Sequence, residues 1–351
     1  MELEKVYQAI ISGRAMLITG SGAHVTALDV DGEKFPSGIG LATRLYTDCG
    51  ISNPENPYDL QDAADTYLEN KNSYELIAKL KTILYVSKIQ QEHKILYGQD
   101  WQRVYTTNYD DVPLLSTKEM KKALYAVTLS DDVHLEKDVQ KQCVYINGYI
   151  GRLDDKTLQS EFRLSGRSYA SENLNKSPWG VVFSDDLATV ECVVIVGLSL
   201  DYDLDLKRLI CAQNVIDKTV FIEHNEITAD KERKLKRYGT VYAITMEKFT
   251  EGLERYKQEH PIAPVTPDTY IYRCFEVAEK KDTIKKATSF EVHDFFMTGR
   301  YVDGLWHTDK GKYDNLVYRK QLKEVLQDLK KSYKVIFLHA NLGCELRNQL
   351  C

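Results

Sequence analysis

Over its first 250 residues the chain alternates short, wholly apolar runs with stretches whose apolar positions recur every three or four residues, and that alternation predicts the elements. Leu3, Val6, Tyr7, Ile10 and Ile11 fall at helical spacing, with Gly13 as a stop. The apolar run 15–18 then breaks into Gly20, Ser21 and Gly22, the pattern of a buried strand ending in a tight turn. Residues 39–45 read as a short amphipathic helix that Ser37 can cap, and Asn53, Pro54 and Pro57 mark a turn. From 59 to 96 the pattern is helical, with Leu60, Ala63, Ala64, Tyr67 and Leu68 and then Leu76, Ile77, Leu80, Ile83 and Leu84 on continuing faces. This predicts a helical subdomain inserted into an α/β core.

Strand patterns return at 103–111, 144–151 and 191–200, the last being the most apolar of all, and again at 219–225 and 240–244. Helical patterns at 203–216 and 231–238 separate the later ones, and the strands end in Gly, Ser, Asn or Asp. Strands alternating with helices predict an α/β fold, a doubly wound, Rossmann-like parallel sheet whose polar strand ends open into a ligand crevice. In such a crevice a glycine turn lets backbone amides approach a phosphate, and a helix start after it favours the negative charge.

With 351 residues, the chain exceeds one average domain, so a second unit is expected. Residues 261–267, bounded by prolines, read as a linker, followed by an aromatic and charged stretch. A helix at 316–331, a strand at 333–339 and a turn ending in Gly343 resemble the opening of a P-loop domain. A P-loop needs Gly-Lys followed by Ser or Thr there, and Cys344 and Glu345 stand instead. The expected division is 1–258 for the nucleotide-binding domain, 259–315 for a connector and 316–351 for a helix and strand stub.

Apolar residues at 43% and charged residues at 28% exclude a disordered chain. No apolar run approaches a membrane span and the N-terminus has no signal-peptide pattern, which predicts a cytoplasmic protein that does not enter membranes. Lys and Arg total 46 against 52 Asp and Glu, a net charge of −6, and the basic face at 231–237 is short, so nucleic acid is not an expected partner. The seven cysteines include no C-x-x-C pair, so neither zinc nor any other metal is assigned, and Asp201, Asp203 and Asp205 read as a helix cap.

Gly20, Ser21, Gly22 and Ala23, then Thr106, Thr107, Asn108, Tyr109 and Asp110, then Asn147 and Gly148, Gly197 to Ser199, and Phe221 to Asn225 occur in the order and approximate spacing of the motifs of sirtuin-like domains. The resemblance covers about residues 10–255, and is nearest to the sirtuin-like effector domains of bacterial antiphage systems. Some of these are fused to a STAND-type NTPase, and the C-terminal stub resembles the point where that NTPase would begin. The resemblance implies NAD as substrate, held by Gly20, Ser21, Gly22, Ala23, His24, Thr107, Gly197, Ser199, Glu223 and Asn225. It implies Asn108, Asp110, Asn147 and Tyr145 as the catalytic set, Asn108 foremost.

Breaking the nicotinamide–ribose bond builds positive charge on the sugar, which amide and carboxylate oxygens in a dry pocket stabilise. The family's catalytic histidine usually precedes a glycine, whereas Asn147 precedes Gly148 here, and an asparagine is no base near neutral pH. His24, His134 and His224 are possible substitutes. The function implied is an NAD⁺ hydrolase that yields nicotinamide and ADP-ribose, an effector of antiphage defence by NAD depletion. It would act as a homo-oligomer or filament, triggered by a phage product sensed through a fused or missing STAND region. Two alternatives stay open: a non-catalytic module that binds NAD or ADP-ribose, and a self-assembling domain with a vestigial pocket.

Overall fold

The computed structural model describes residues 1–121, 123–133, 141–169, 174–198, 200, 204–212 and 215–261. His134, Ser199 and the expected connector and stub beyond 261 lie outside the described residues, which all fall within one compact unit, Met1–Pro264.

Nine strands are described: β1 Ala15–Thr19, β2 Leu28–Asp29, β3 Val86–Lys88, β4 Val104–Thr106, β5 Leu124–Thr128, β6 Lys141–Tyr145, β7 Cys192–Val196, β8 Thr219–Glu223 and β9 Thr240–Ala243. The helices, in chain order, begin with α1 Leu3–Ile11, α2 Gly38–Asp48, α3 Leu60–Asn70, α4 Ser73–Leu84, α5 Gln91–Tyr97 and α6 Val112–Thr117. They continue with α7 Asp155–Leu158, α8 Gly166–Tyr169, α9 Pro178–Thr189, α10 Leu204–Ala212, α11 Ala229–Leu235 and α12 Met246–Glu259.

Seven strands form one sheet in the order β5-β6-β4-β1-β7-β8-β9, every neighbouring pair parallel. Along β1, Ala15 and Leu17 join one core while Met16 and Ile18 join the other, and β7 divides likewise. This two-residue period puts one core on each face of the sheet. Val6 and Ile10 of α1, Leu96 and Tyr97 of α5, and Phe249 and Leu253 of α12 cover the first face. Trp179, Phe183 and Leu187 of α9, Leu206 and Ile210 of α10, and Leu235 of α11 cover the second. The fold is a doubly wound, Rossmann-like parallel sheet. All five residues of β7 are buried, and each of its Val and Ile side chains stabilises the fold by about 1.5–3 kcal/mol.

The stretch 59–96, expected as a helical insertion, holds α3, α4 and most of α5, with the short strand β3 between the last two. Asp59 caps α3 by accepting from the N–H groups of Gln61 and Asp62, and Asn72 restarts the chain as α4 by accepting from Glu75. Beyond α4, Val86–Lys88 pairs antiparallel with Leu28–Asp29, held by the Asp111 carboxylate, which accepts from the Val86 N–H at 3.0 Å. Ser37 caps α2, accepting from the Gly40 N–H at 3.2 Å. β5, absent from the expected strands, is a five-residue edge strand that exposes Tyr125. No helix among the described residues is long and apolar enough to cross a membrane.

Candidate functional site

The chain leaves β1 toward β4, β6 and β5 on one side and later fills the other side with β7, β8 and β9, so the strand order reverses beside β1. At such a switch point the loops that follow the strands diverge and leave a crevice. A cavity of about 940 Å³ lies there. The turn after β1 contributes Ser21, Gly22 and His24, the turn after β4 Thr107, Asn108, Tyr109 and Asp110, the end of β6 Asn147, and the turn after β7 Gly197 and Leu198. Phe35, Ile39, Tyr58 and Leu60 add apolar surface to the cavity lining.

The glycine turn and the β7 turn are packed against each other. The Gly22 N–H donates to the Gly197 carbonyl at 2.9 Å, and the Gly20 N–H donates to Val196 at 3.0 Å. Gly197 has φ +59°, and a Cβ there would stand 2.2 Å from the Ala23 nitrogen. These glycines are therefore explained by two backbones meeting as well as by any ligand. The Ala23 and His24 N–H groups close the short 3-10 turn onto Gly20 and Ser21 at 3.0 and 3.1 Å.

Asn108 sits on the floor of the cavity. Its main-chain N–H donates to Thr106 Oγ1, and its Nδ2 donates to the Gly20 carbonyl at 3.0 Å. The amide nitrogen is thus turned toward the glycine turn, the side chain, 7% exposed, lines the cavity, and no hydrogen bond among the described residues takes up its oxygen. Asp110 accepts from the Val112 N–H at 3.0 Å on Oδ1 and pairs through Oδ2 with His24 Nδ1 at 2.8 Å. His24 is 1% exposed, and its Nε2 meets the Tyr97 hydroxyl, which donates to Thr19 Oγ1 at 3.1 Å. A chain of hydrogen bonds, Thr19 to Tyr97 to His24 to Asp110, therefore runs under the floor. Both His24 nitrogens have protein partners, and Asn108 Nδ2 also lies 2.8 Å from Nδ1.

Asn147 donates through Nδ2 to the Thr107 carbonyl at 3.0 Å, which ties the ends of β6 and β4 together at the cavity wall. Tyr145 lies beneath, fully buried, with its hydroxyl donating to the Asp110 carbonyl at 2.8 Å. Burial drives the Tyr145 and Tyr97 phenols well above their ordinary pKa, so both stay protonated donors. Behind the turn, burial pushes His93 down to about 4. As a neutral ring it reaches the Ala23 carbonyl through Nε2 at 3.1 Å and accepts from the Gln90 N–H on Nδ1. Burial pushes Asp111 the other way, up to about 6.

Of the residues expected from sequence, Ser21, Gly22, His24, Thr107, Asn108, Asp110, Asn147 and Gly197 line the cavity. Gly20, Ala23 and Tyr145 support it from behind. Glu223, at the end of β8, is buried and pairs with Lys231 of α11 at 2.6 Å, while Asn225 is exposed and does not line the cavity. Lys231, Phe35 and Tyr58 line it and were missed. No periodicity or motif marks them; Lys231 lay within a charge run that reads as a solvated helix face. Among the described residues no cluster of three or more His, Cys, Asp or Glu is placed to hold a metal ion.

No protein-family model matches the sequence, and no curated protein matches it. Among solved structures, the chain is similar to a Sir2 enzyme studied for its mechanism and regulation, with 13% identity, a TM-score of 0.39, and 74% of this chain and 100% of that one covered. A Sir2 homologue mutant in complex with ADP-ribose has 12% identity and a TM-score of 0.41, over 74% and 97% of the two chains. Sir2Af2 bound to a myristoylated histone peptide has 11% identity and a TM-score of 0.36, over 74% and 98%.

Proposed function

We propose that the chain is a sirtuin-like NAD⁺ hydrolase that cleaves the nicotinamide–ribose bond and serves as an effector of antiphage defence by depleting NAD⁺. The observation that carries the reading is the setting of Asn108 at the switch-point cavity: a buried amide with its nitrogen tied to the Gly20 carbonyl and an oxygen that no hydrogen bond among the described residues takes up. Such an oxygen, with the Asp110 carboxylate beside it, stabilises positive charge developing on a ribose. In the reaction the glycosidic bond breaks, its electron pair leaves with the nicotinamide nitrogen, water adds to the ribose carbon, and the water's proton passes to solvent. Asn108 orients ribose or water, Asn147 holds the adjoining wall, and Tyr145 positions Asp110 through its main chain.

Assembly is the switch in this reading. It rests on the resemblance to effector domains that are fused to a STAND-type NTPase, and neighbouring copies that order the helices between 59 and 96 would raise the population of the competent site. The test is incubation of the purified chain with NAD⁺ across a dilution series, with chromatographic resolution of products and light scattering in parallel. Nicotinamide and ADP-ribose are expected, with activity per protomer rising with concentration. Constant activity in a strictly monomeric sample refutes the switch.

One observation favours a second reading, a non-catalytic module that binds NAD or ADP-ribose. Asn147 is no base, and the His24 ring is saturated by Asp110 and Tyr97. Binding of ADP-ribose without NAD⁺ turnover at any concentration would select it over hydrolysis.

A further inference from the structure

A dinucleotide brings two negative charges on its pyrophosphate, and the cavity must compensate them. Its lining includes three carboxylates, Glu55, Asp59 and Asp110, and among the described residues a single lysine or arginine, Lys231. The usual alternative to a cation is a cradle of backbone amides at the glycine turn. That cradle is largely spent: the N–H groups of Gly20, Gly22, Ala23 and His24 each donate to a main-chain carbonyl, which leaves Ser21.

We propose that Lys231 is the cation that binds the pyrophosphate, an inference that rests on reading the cavity as a dinucleotide site. The Lys231 ammonium has three N–H donors and gives one to Glu223 at 2.6 Å, which leaves two for phosphate oxygens. Glu223 is 6% exposed on β8, an interior strand of the sheet, so it is a rigid tether that keeps the more exposed lysine, at 40%, in the cavity lining. The pairing also neutralises a carboxylate that would otherwise repel the ligand. Glu223 thereby acts on the ligand through Lys231 rather than by touching it.

Titration calorimetry of the full chain with ADP-ribose tests this, using the parent, Lys231→Arg, Lys231→Gln, and Lys231→Gln combined with Glu223→Gln. The double variant leaves no buried carboxylate unpaired, and thermal melting checks that each variant is folded. Lys231→Gln and the double variant should both bind ADP-ribose about tenfold or more weakly, while Lys231→Arg stays within about threefold of the parent. The parent's affinity should also fall more steeply with salt than that of the double variant. Parental affinity in the folded double variant overturns the assignment and leaves the dinucleotide reading standing. A parent that binds neither ADP-ribose nor NAD⁺ overturns that reading, and the role of Lys231 with it.

Discussion

Gly197→Ala is the sharpest test of how the site is built. At φ +59° an alanine costs roughly 1–2 kcal/mol in backbone conformation alone. Its Cβ would also fall 2.2 Å from the Ala23 nitrogen and 2.3 Å from the Gly22 carbonyl carbon. These are main-chain atoms that cannot rotate aside, so relief requires the two turns to separate, at a further cost of about 1–3 kcal/mol. Separation strains the Gly22 to Gly197 hydrogen bond at 2.9 Å, worth about 1 kcal/mol. The expected loss is roughly 3–6 kcal/mol, a large fraction of the ~5–15 kcal/mol that holds a typical domain together. Gly32→Ala is the control, because Gly32 has φ +81° with nothing within 4 Å of the added carbon, and it should show the conformational penalty without the collision. Urea unfolding followed by circular dichroism measures both. A Gly197→Ala protein within about 1 kcal/mol of Gly32→Ala would refute the packed-turn account. By the same geometry Gly22→Val is not a clean probe of phosphate binding, since its Cβ would meet the Gly197 Cα at 2.8 Å.

Other outcomes follow from the same network. Asn108→Ala should lower NAD⁺ turnover by ~10²-fold or more in a protein that still melts cooperatively, and parental turnover would remove Asn108 from the catalytic role. His93 is held neutral in the fold, at about 4 against 6.5 when unfolded, so the unfolded chain takes up its proton first and stability falls as pH drops from 6.5 to 4. That loss is worth about 3 kcal/mol, and His93→Gln should flatten the profile by that amount; an unchanged slope refutes it. Asp111 has the opposite sign: raised to about 6, it binds a proton in the fold that the unfolded chain releases, so it lowers stability as pH rises from about 4 to 6. Asp111→Asn should therefore stabilise at pH 7.5 by about 1–2 kcal/mol, allowing for partial exposure, with little effect at pH 4; equal effects at both would refute it.

The parallel sheet was legible in the sequence because its determinants are local. A strand buried on both faces has to be apolar throughout, as β7 is, and the intervening helices announce themselves by spacing and by caps such as Ser37. The polar residues after β1, β4 and β6 were legible for a related reason: in a parallel sheet all strand ends face one way, so a cluster that follows a strand is already placed at one rim. Tertiary structure decided what distance along the chain conceals. It joined His24 to Asp110 across 86 positions and to Tyr97 across 73, turning two separately read residues and a tyrosine that no motif marks into one buried hydrogen-bond chain. The packing of Gly22 against Gly197 is likewise a contact between the turns that follow two strands far apart in the chain, so the sequence offered a phosphate cradle where the fold spends most of the amides on itself. Lys231 owes its place at the cavity to a buried carboxylate on β8, and a charge on a helix shows its partner only once the chain has folded around it.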